Sequence, residues 1–478
     1  MSLADFAMQY LGKDVVTEGS LLHLSREVAW HKLRSRAKQG IRKAQRARVR
    51  MVESRDLSLM AKVWHDPESL TDHLEKNQRL FLAYIGDELV GGILVTPVTS
   101  NTLFYHYGGT TELGRRHEVN AYLFWHIVET FEDSPYEYLD VGVSYREELQ
   151  HYFRKYCTQS YPILFHPPSP EVRPSLSINP FRDENLHWEV PTAPPINTLL
   201  LDYFEAEFTF LPSGLFALQS AMRALGLERG ATILVRSAVG LRSYQAALER
   251  ALGKNYRFVI DHSQRVSAVL VGHRWGVADE SAEEFSQGEL PLIEDCRDTF
   301  GAQVGGGRVG GFGVYAVFDF ARLLPMQFGA LLLGKYFEDR EVWDRFHCLD
   351  VTKRNVVREQ LLVHWPRRES YANKRRENWH YLKNLFGLLG MKPVAAQREP
   401  ASPTAFLLQC EEPYGAERVA QWLEKFGVYV EVDKGEQIAA LPCHAGLAKG
   451  QLDYIFGAFR GMVNPCHTFR RKDPMEEV

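Results

Sequence analysis

Short apolar runs, separated by turns and by polar stretches, divide this 478-residue chain into elements of recognisable type. Residues 79–98, RLFLAYIGDELVGGILVTPV, hold two apolar runs around the turn GDE and predict a β-hairpin. Residues 101–110, NTLFYHYGGT, and 136–144, YEYLDVGVS, predict two further strands. Between them, VNAYLFWHIVETFED (119–133) has the apolar spacing of an amphipathic helix. Ahead of the hairpin, EVAWHKLRSRAKQGIRKAQRARVR (27–50) reads as a basic helix. This order is an α/β pattern with an antiparallel meander.

The pattern stops at residues 166–196, HPPSPEVRPSLSINPFRDENLHWEVPTAPPI, where neither a 2-residue nor a 3.6-residue period is sustained. Proline fixes φ and removes a donor, so this segment predicts an extended connector. Beyond it, FLPSGLFALQSAMRALGL (210–227) reads as a turn followed by an amphipathic helix. ATILVRS, YRFVID, VSAVLVGH, LPLIED and GVYAVFDF follow as short apolar strands separated by helical or loop segments, which predicts a mostly parallel sheet. From residue 341 the pattern turns helical, most clearly in ENWHYLKNLFGLLG (377–390), and a small α/β tail runs from TAFLLQCEEP to DYIFGAFRGM. The expected organisation is an α/β domain over 1–165, a linker over 166–200, a large α/β domain over 201–345 and a helical and small α/β subdomain over 346–478.

Hydrophobic residues make up 45% and charged residues 24%, the balance of a soluble globular protein. A net charge of −4 gives no reason to expect a nucleic-acid or membrane partner, but residues 31–50 carry nine Lys and Arg and no acid. Such a run suits phosphate contacts, to RNA or a nucleotide head group, or a solvated helix face. No run approaches the ~18 apolar residues of a membrane helix, and the opening MSLADFAMQYLGKDVV has no basic, apolar and small-residue succession, so a cytoplasmic location without a membrane is expected. Six cysteines without a C-x-x-C pair fit reduced thiols. The neighbours Cys443–His444 and Cys466–His467 lack metal-ligand spacing, so no metal is expected.

Five segments of the C-terminal part fall in a meaningful order: PSGLFALQSAMRALGLERGATILVRS, VLVGHRWG, LIEDCRDTFGAQ, GGFGVYAVFDFARLLPMQFGALLLG and LPCHAGLAKGQLDYI. Together they resemble DegT-type sugar aminotransferases of pyridoxal-phosphate fold type I, over roughly residues 205–463. The resemblance implies a site made of Gly214, His273, Asp295 and the residue at 322. Asp295 takes the place of the aspartate that pairs with the pyridinium nitrogen. Arg322 takes the place of the Schiff-base lysine, and arginine is effectively always protonated, so it cannot be that nucleophile. Val317 and Leu215 stand where the family has phosphate-binding hydroxyls, each worth about 1.5–3 kcal/mol to a charged phosphate. Arg297 or Arg322 is the expected counter-ion of Asp295. On these grounds the site reads as degenerate, pyridoxal phosphate is not expected, and the domain reads as a non-catalytic scaffold that forms a homodimer.

In the N-terminal part, SRAKQGIRKAQRARVRM, FLAYIGDELVGGILV, LFYHYGGTTE, VNAYLFWHIVE and YEYLDVGVS with LQHYFRKYC resemble FemAB-like members of the GNAT acyltransferase superfamily, over about residues 20–160. The resemblance implies acyl transfer to an amine. An R-x-x-G-x-G coenzyme-A loop is absent from GRRHEVNAYL (114–123), which leaves acyl-CoA and aminoacyl-tRNA as alternative donors. Asp140, His106 and Glu112 are the candidate bases. Arg42, Lys43, Arg115 and Arg154 are the candidate donor contacts.

The leading expectation is therefore an N-acyltransferase that modifies a small-molecule amine or aminosugar, with tRNA among the candidate partners. The alternatives are a nucleotide-sugar aminotransferase or dehydratase dependent on pyridoxal or pyridoxamine phosphate, and a non-enzymatic scaffold or regulatory protein.

Overall fold

The computed structural model describes residues 16–64, 74–142, 152–153, 155–164, 167, 173–181, 195–261, 264–334, 351–394, 402–411 and 413–463. Contacts divide the chain into two units: Met1–Val172 with Asn384–Met391 and Asp453–Val478, and Arg173–Lys383 with Lys392–Leu452. Two segments from the region read as one C-terminal subdomain thus pack with the N-terminal unit. Among the described residues no helix is long and apolar enough to cross a membrane.

The N-terminal unit is built on a seven-stranded sheet. Its strands are β1 (Val16–His23), β2 (Arg50–Ser54), β3 (Arg79–Ile85), β4 (Glu88–Pro97), β5 (Thr102–Thr110), β6 (Tyr138–Asp140) and β7 (Gln159–Leu164), in the order β2-β3-β4-β5-β6-β1-β7. The hairpin expected over 79–98 is β3 and β4. All neighbours are antiparallel except β5 and β6, which pair in parallel only from Thr102↔Tyr138 to Phe104↔Asp140. Beyond that point β6 ends and β5 runs on to Thr110.

The helix Ser35–Arg46 buries Ala37, Gly40, Ile41 and Ala44, a stripe at three- and four-residue spacing, and leaves Arg36, Arg42, Lys43 and Arg46 exposed. It packs with the helix Val119–Phe131, whose eight buried residues fill the core on one face of the sheet. The helix Lys449–Val463 adds its residues from Asp453 onward, with Phe456 edge-on to both Tyr161 and Phe386.

The C-terminal unit contains a second seven-stranded sheet. Its strands are β8 (Glu207–Leu211), β9 (Thr232–Arg236), β10 (Arg257–Val259), β11 (Ala268–Gly272) and β12 (Leu292–Asp295), then, after a small hairpin of β13 (Gln303–Val304) and β14 (Gly307–Arg308), β15 (Tyr315–Asp319) and β16 (Ala330–Gly334). The order is β10-β9-β11-β12-β15-β16-β8. The five strands from β10 to β15 are parallel, and β16 pairs antiparallel with both β15 and β8. Every residue of β11, β12 and β16 is buried; β11 and β16 accordingly read as continuous apolar runs, whereas β12 ends on two buried acids, Glu294 and Asp295. A separate antiparallel sheet in the order β17-β19-β18 comprises β17 (Ala405–Gln409), β18 (Glu431–Asp433) and β19 (Ile438–Pro442), with the helix Ala416–Lys425 against it.

Candidate functional site

In open parallel sheets, ligands collect beyond the carboxyl ends of the strands, where loops and helix N-termini converge. That edge of the C-terminal sheet carries Asp295 at the end of β12, Asp319 at the end of β15 and His273 just after β11. The helix Gly214–Ala224 begins beside them, since the Gly214 amide donates to Asp319 Oδ2 at 3.0 Å.

Asp295 is 4% exposed. Its Oδ1 accepts from Arg297 Nε at 2.7 Å and from the Arg297 amide at 3.2 Å. Its Oδ2 accepts from Arg297 Nη2 at 2.6 Å and from the Tyr244 hydroxyl at 2.6 Å. Burial pushes the Asp295 carboxyl up, and the Arg297 guanidinium together with these hydrogen bonds more than offsets it, leaving the group below the usual carboxylate value and ionised. Of the two counter-ions expected from the sequence, Arg297 is the one found there. Tyr244, which no motif marked, is the second partner.

Asp319 Oδ1 accepts from the Ala321 amide at 3.1 Å. Burial pushes the Asp319 carboxyl above its usual value, against the pull of the Gly214 amide, Arg297 and Arg322. Gly214 has no room for a side chain: a Cβ would lie 2.4 Å from Arg297 Cδ and 2.7 Å from Asp319 Oδ2. Leu215, at the position of a lost hydroxyl, is 39% exposed, and Val317 is buried in β15.

Arg322 belongs to a different network. It donates through Nε to Asp298 and through Nη2 to Glu431 Oε1 and Oε2 at 3.0 and 3.3 Å. Asp298 raises its pKa further, so it is a permanent cation tied to two acids.

His273 is a strut. Its Nδ1 accepts from the Asp279 amide at 3.0 Å, which leaves Nε2 to donate to Glu294 at 3.2 Å. Glu294, which the sequence reading did not single out, also accepts from the amides of Gly310, Phe312 and Gly313 at 2.7–2.8 Å. The donor atoms of His273, Glu294 and Cys296 lie within 4.8 Å of one another. Hydrogen bonds already engage this carboxylate and both ring nitrogens, and burial keeps the Cys296 thiol protonated.

The N-terminal candidates are dispersed. Asp140, a candidate base, is fully buried and so closed to an acceptor amine. It accepts from the Tyr161 hydroxyl at 2.7 Å on both oxygens and from the Gly142 amide at 2.7 Å, and it is ion-paired with the equally buried Arg460. His106 lies on β5 with Nδ1 3.0 Å from Thr96 Oγ1, and burial lowers its pKa to about 4. Glu112 is exposed and pairs with Arg116 at 2.5 Å. Arg115 donates to the Thr110 carbonyl at 3.2 Å, Arg42 lies 5.6 Å from the Trp30 ring, and Lys43 is exposed. Arg154 falls outside the described residues.

No family model matches the chain, and no curated protein matches it. Among solved structures it is similar to Spr1654 of Streptococcus pneumoniae, described as a sugar aminotransferase. The PLP form is 16% identical with a TM-score of 0.45, over 59% of this chain and 94% of that one. The PMP form is 15% identical with a TM-score of 0.45, over 58% and 94%. It is also similar to PseC of Helicobacter pylori, an aminotransferase involved in the biosynthesis of pseudoaminic acid, at 15% identity and a TM-score of 0.45, over 57% of this chain and 92% of that one. These two structures are a PLP form and a PMP form, against the cofactor expectation drawn from the sequence, an acyl-CoA or aminoacyl-tRNA donor with pyridoxal phosphate not expected.

Proposed function

We propose that the C-terminal unit acts on a nucleotide sugar in the manner of a sugar aminotransferase or dehydratase, with pyridoxal or pyridoxamine phosphate held at Asp295 by charge. The observation that carries this reading is Asp295 itself. It is an ionised carboxylate at the carboxyl end of a central parallel strand, the place for pairing a cationic ring nitrogen, with the Tyr244 hydroxyl donating to it. The residues present fit a cofactor held this way: Asp295 for the ring nitrogen, and the N-terminus of the 11-residue helix Gly214–Ala224 for the phosphate. They do not fit one held on a lysine, because position 322 is an arginine committed to Asp298 and Glu431.

When bound, the cofactor supplies an electron sink for bonds at the carbon that carries the amine. The chain's own residues do the rest. Arg297, 23% exposed, releases Asp295 and turns its guanidinium to water. Asp319, with its carboxyl pushed above the usual value by burial, yields the Gly214 amide to the phosphate. For the N-terminal unit, the burial of Asp140 against Arg460 favours the scaffold reading over catalysis.

Titration of the full-length protein with pyridoxal phosphate and pyridoxamine phosphate, followed by cofactor fluorescence, is expected to give saturable binding. Arg297→Ala is expected to tighten it at least tenfold, and Asp319→Asn severalfold. If neither wild type nor Arg297→Ala binds either cofactor saturably, the reading is wrong.

A further inference from the structure

Three carboxylates within six residues grip two elements at the carboxyl edge of the large sheet: Glu431 holds Arg322 and Trp275, and Asp433 and Glu436 hold the first turn of one helix. Glu431 accepts from Arg322 and, at 2.9 Å, from the Trp275 indole nitrogen. Asp433 accepts from the Ser243 hydroxyl, whose oxygen accepts from Arg274 Nη1 at 2.9 Å. Glu436 accepts from the amides of Gly240 and Leu241 at 3.0 and 3.2 Å, at the N-terminus of the 12-residue helix Leu241–Leu252. The Glu436 amide in turn donates to Asp433 Oδ1 at 2.9 Å. Pairing of β18 with β19, from Glu431↔Ala440 to Asp433↔Ile438, fixes the spacing of the first two.

The seat for this segment is closely shaped. Gly240 has φ +62°, and a Cβ there would lie 2.6 Å from Arg274 Nη1 and 2.7 Å from Asp433 Oδ2. Backbone conformation and space both require glycine at that point. One arginine, Arg322, and a helix N-terminus, groups that a phosphate-bearing ligand would use, are thus engaged by the chain's own acids, and a second, Arg274, is held by the Ser243 hydroxyl that Asp433 binds.

We propose that residues 431–436 are a latch. The small three-stranded sheet is held shut against the carboxyl edge of the large one by Glu431, Asp433 and Glu436 acting as one body. Access of a phosphate-bearing ligand to that edge requires their joint release. The identity of the ligand rests on the reading of Asp295 given above, whereas the latch rests on these contacts alone.

Hydrogen–deuterium exchange of the full-length protein tests it. Glu431 touches Arg322 and Trp275 and has no bond to Gly240 or Leu241 among the described residues. If the three grips release together, Glu431→Gln speeds exchange at the Gly240 and Leu241 amides at least tenfold even though Glu436 is intact. Arg322→Lys, which keeps the charge but loses the forked contact, is expected to do the same and serves if the first variant fails to fold. Glu417→Gln removes an exposed pair with Lys434 in the same small subdomain and is expected to leave these amides unchanged. Exchange at Gly240 and Leu241 that is unaltered by Glu431→Gln and Arg322→Lys, or is altered equally by Glu417→Gln, overturns the latch. Faster exchange with no pyridoxal phosphate binding keeps the latch and overturns the cofactor reading.

Discussion

Asp140 in the N-terminal unit and Asp295 in the C-terminal unit are built alike. Each ends a β-strand, accepts a tyrosine hydroxyl and the backbone amide two residues further on, and is ion-paired with an arginine. The difference lies in the arginine. Arg460 is fully buried and comes from far along the chain, whereas Arg297 is two residues away and 23% exposed. Separating a buried pair strands a charge that water cannot reach, while a guanidinium at a sheet edge can turn to solvent and free its partner. Burial of the carboxylate does not distinguish the two roles, but burial of its partner does.

The largest expected effect breaks the sealed pair. Asp140→Asn removes the carboxylate paired with the buried Arg460 and is expected to cost about 3–5 kcal/mol in denaturant unfolding. Adding Arg460→Met is expected to recover most of that loss, and a single variant costing under about 1 kcal/mol would undo the contrast. Asp295→Asn should cost less, about 1.5–3 kcal/mol, the range for hydrogen bonds to a charged group, because the Arg297 it leaves can turn to water. Because the folded pKa of Asp295 is depressed, the stability it contributes is present above its unfolded value and lost as pH falls through the lower folded value. In Arg297→Ala that acid loss should begin at higher pH.

The smallest effect concerns His106, the third candidate and one that titrates in mild acid. Its folded pKa is about 4, below the unfolded value of about 6.5, so between those limits the unfolded chain binds the proton and the folded one does not. Stability should therefore fall as pH drops through that window, by about 1 kcal/mol at pH 5.5. His106→Gln is expected to flatten the slope, which a urea titration at several pH values measures.

Much of the strand content was legible because its causes are local. The β3–β4 hairpin and the apolar runs of β11 and β15 follow from the period and length of the hydrophobic segments. Asp295 and Arg322 could be singled out from residues in order along the chain. What could not be read is long-range pairing. Nothing near Asp140 in sequence signals Arg460, and nothing near Arg322 signals Glu431. Asp140 therefore reads as an accessible base when its surroundings are known only to a few residues either side. Tyr244 and Glu294 were missed for the same reason, since each acquires its role from strands and loops that the fold brings alongside.

The arginine that closes the Asp140 pair sits near the end of the helix Lys449–Val463. A ribosome adding about 5–20 residues per second would make Asp140 roughly 15–65 s before Arg460. Through that interval Asp140 has its Gly142 and Tyr161 partners on the chain but not Arg460, so consolidation around it is expected to follow the synthesis of residue 460. A truncated product that stops short of residue 460 is expected to be a preferred substrate of quality-control proteases, even where every strand of its first sheet is present.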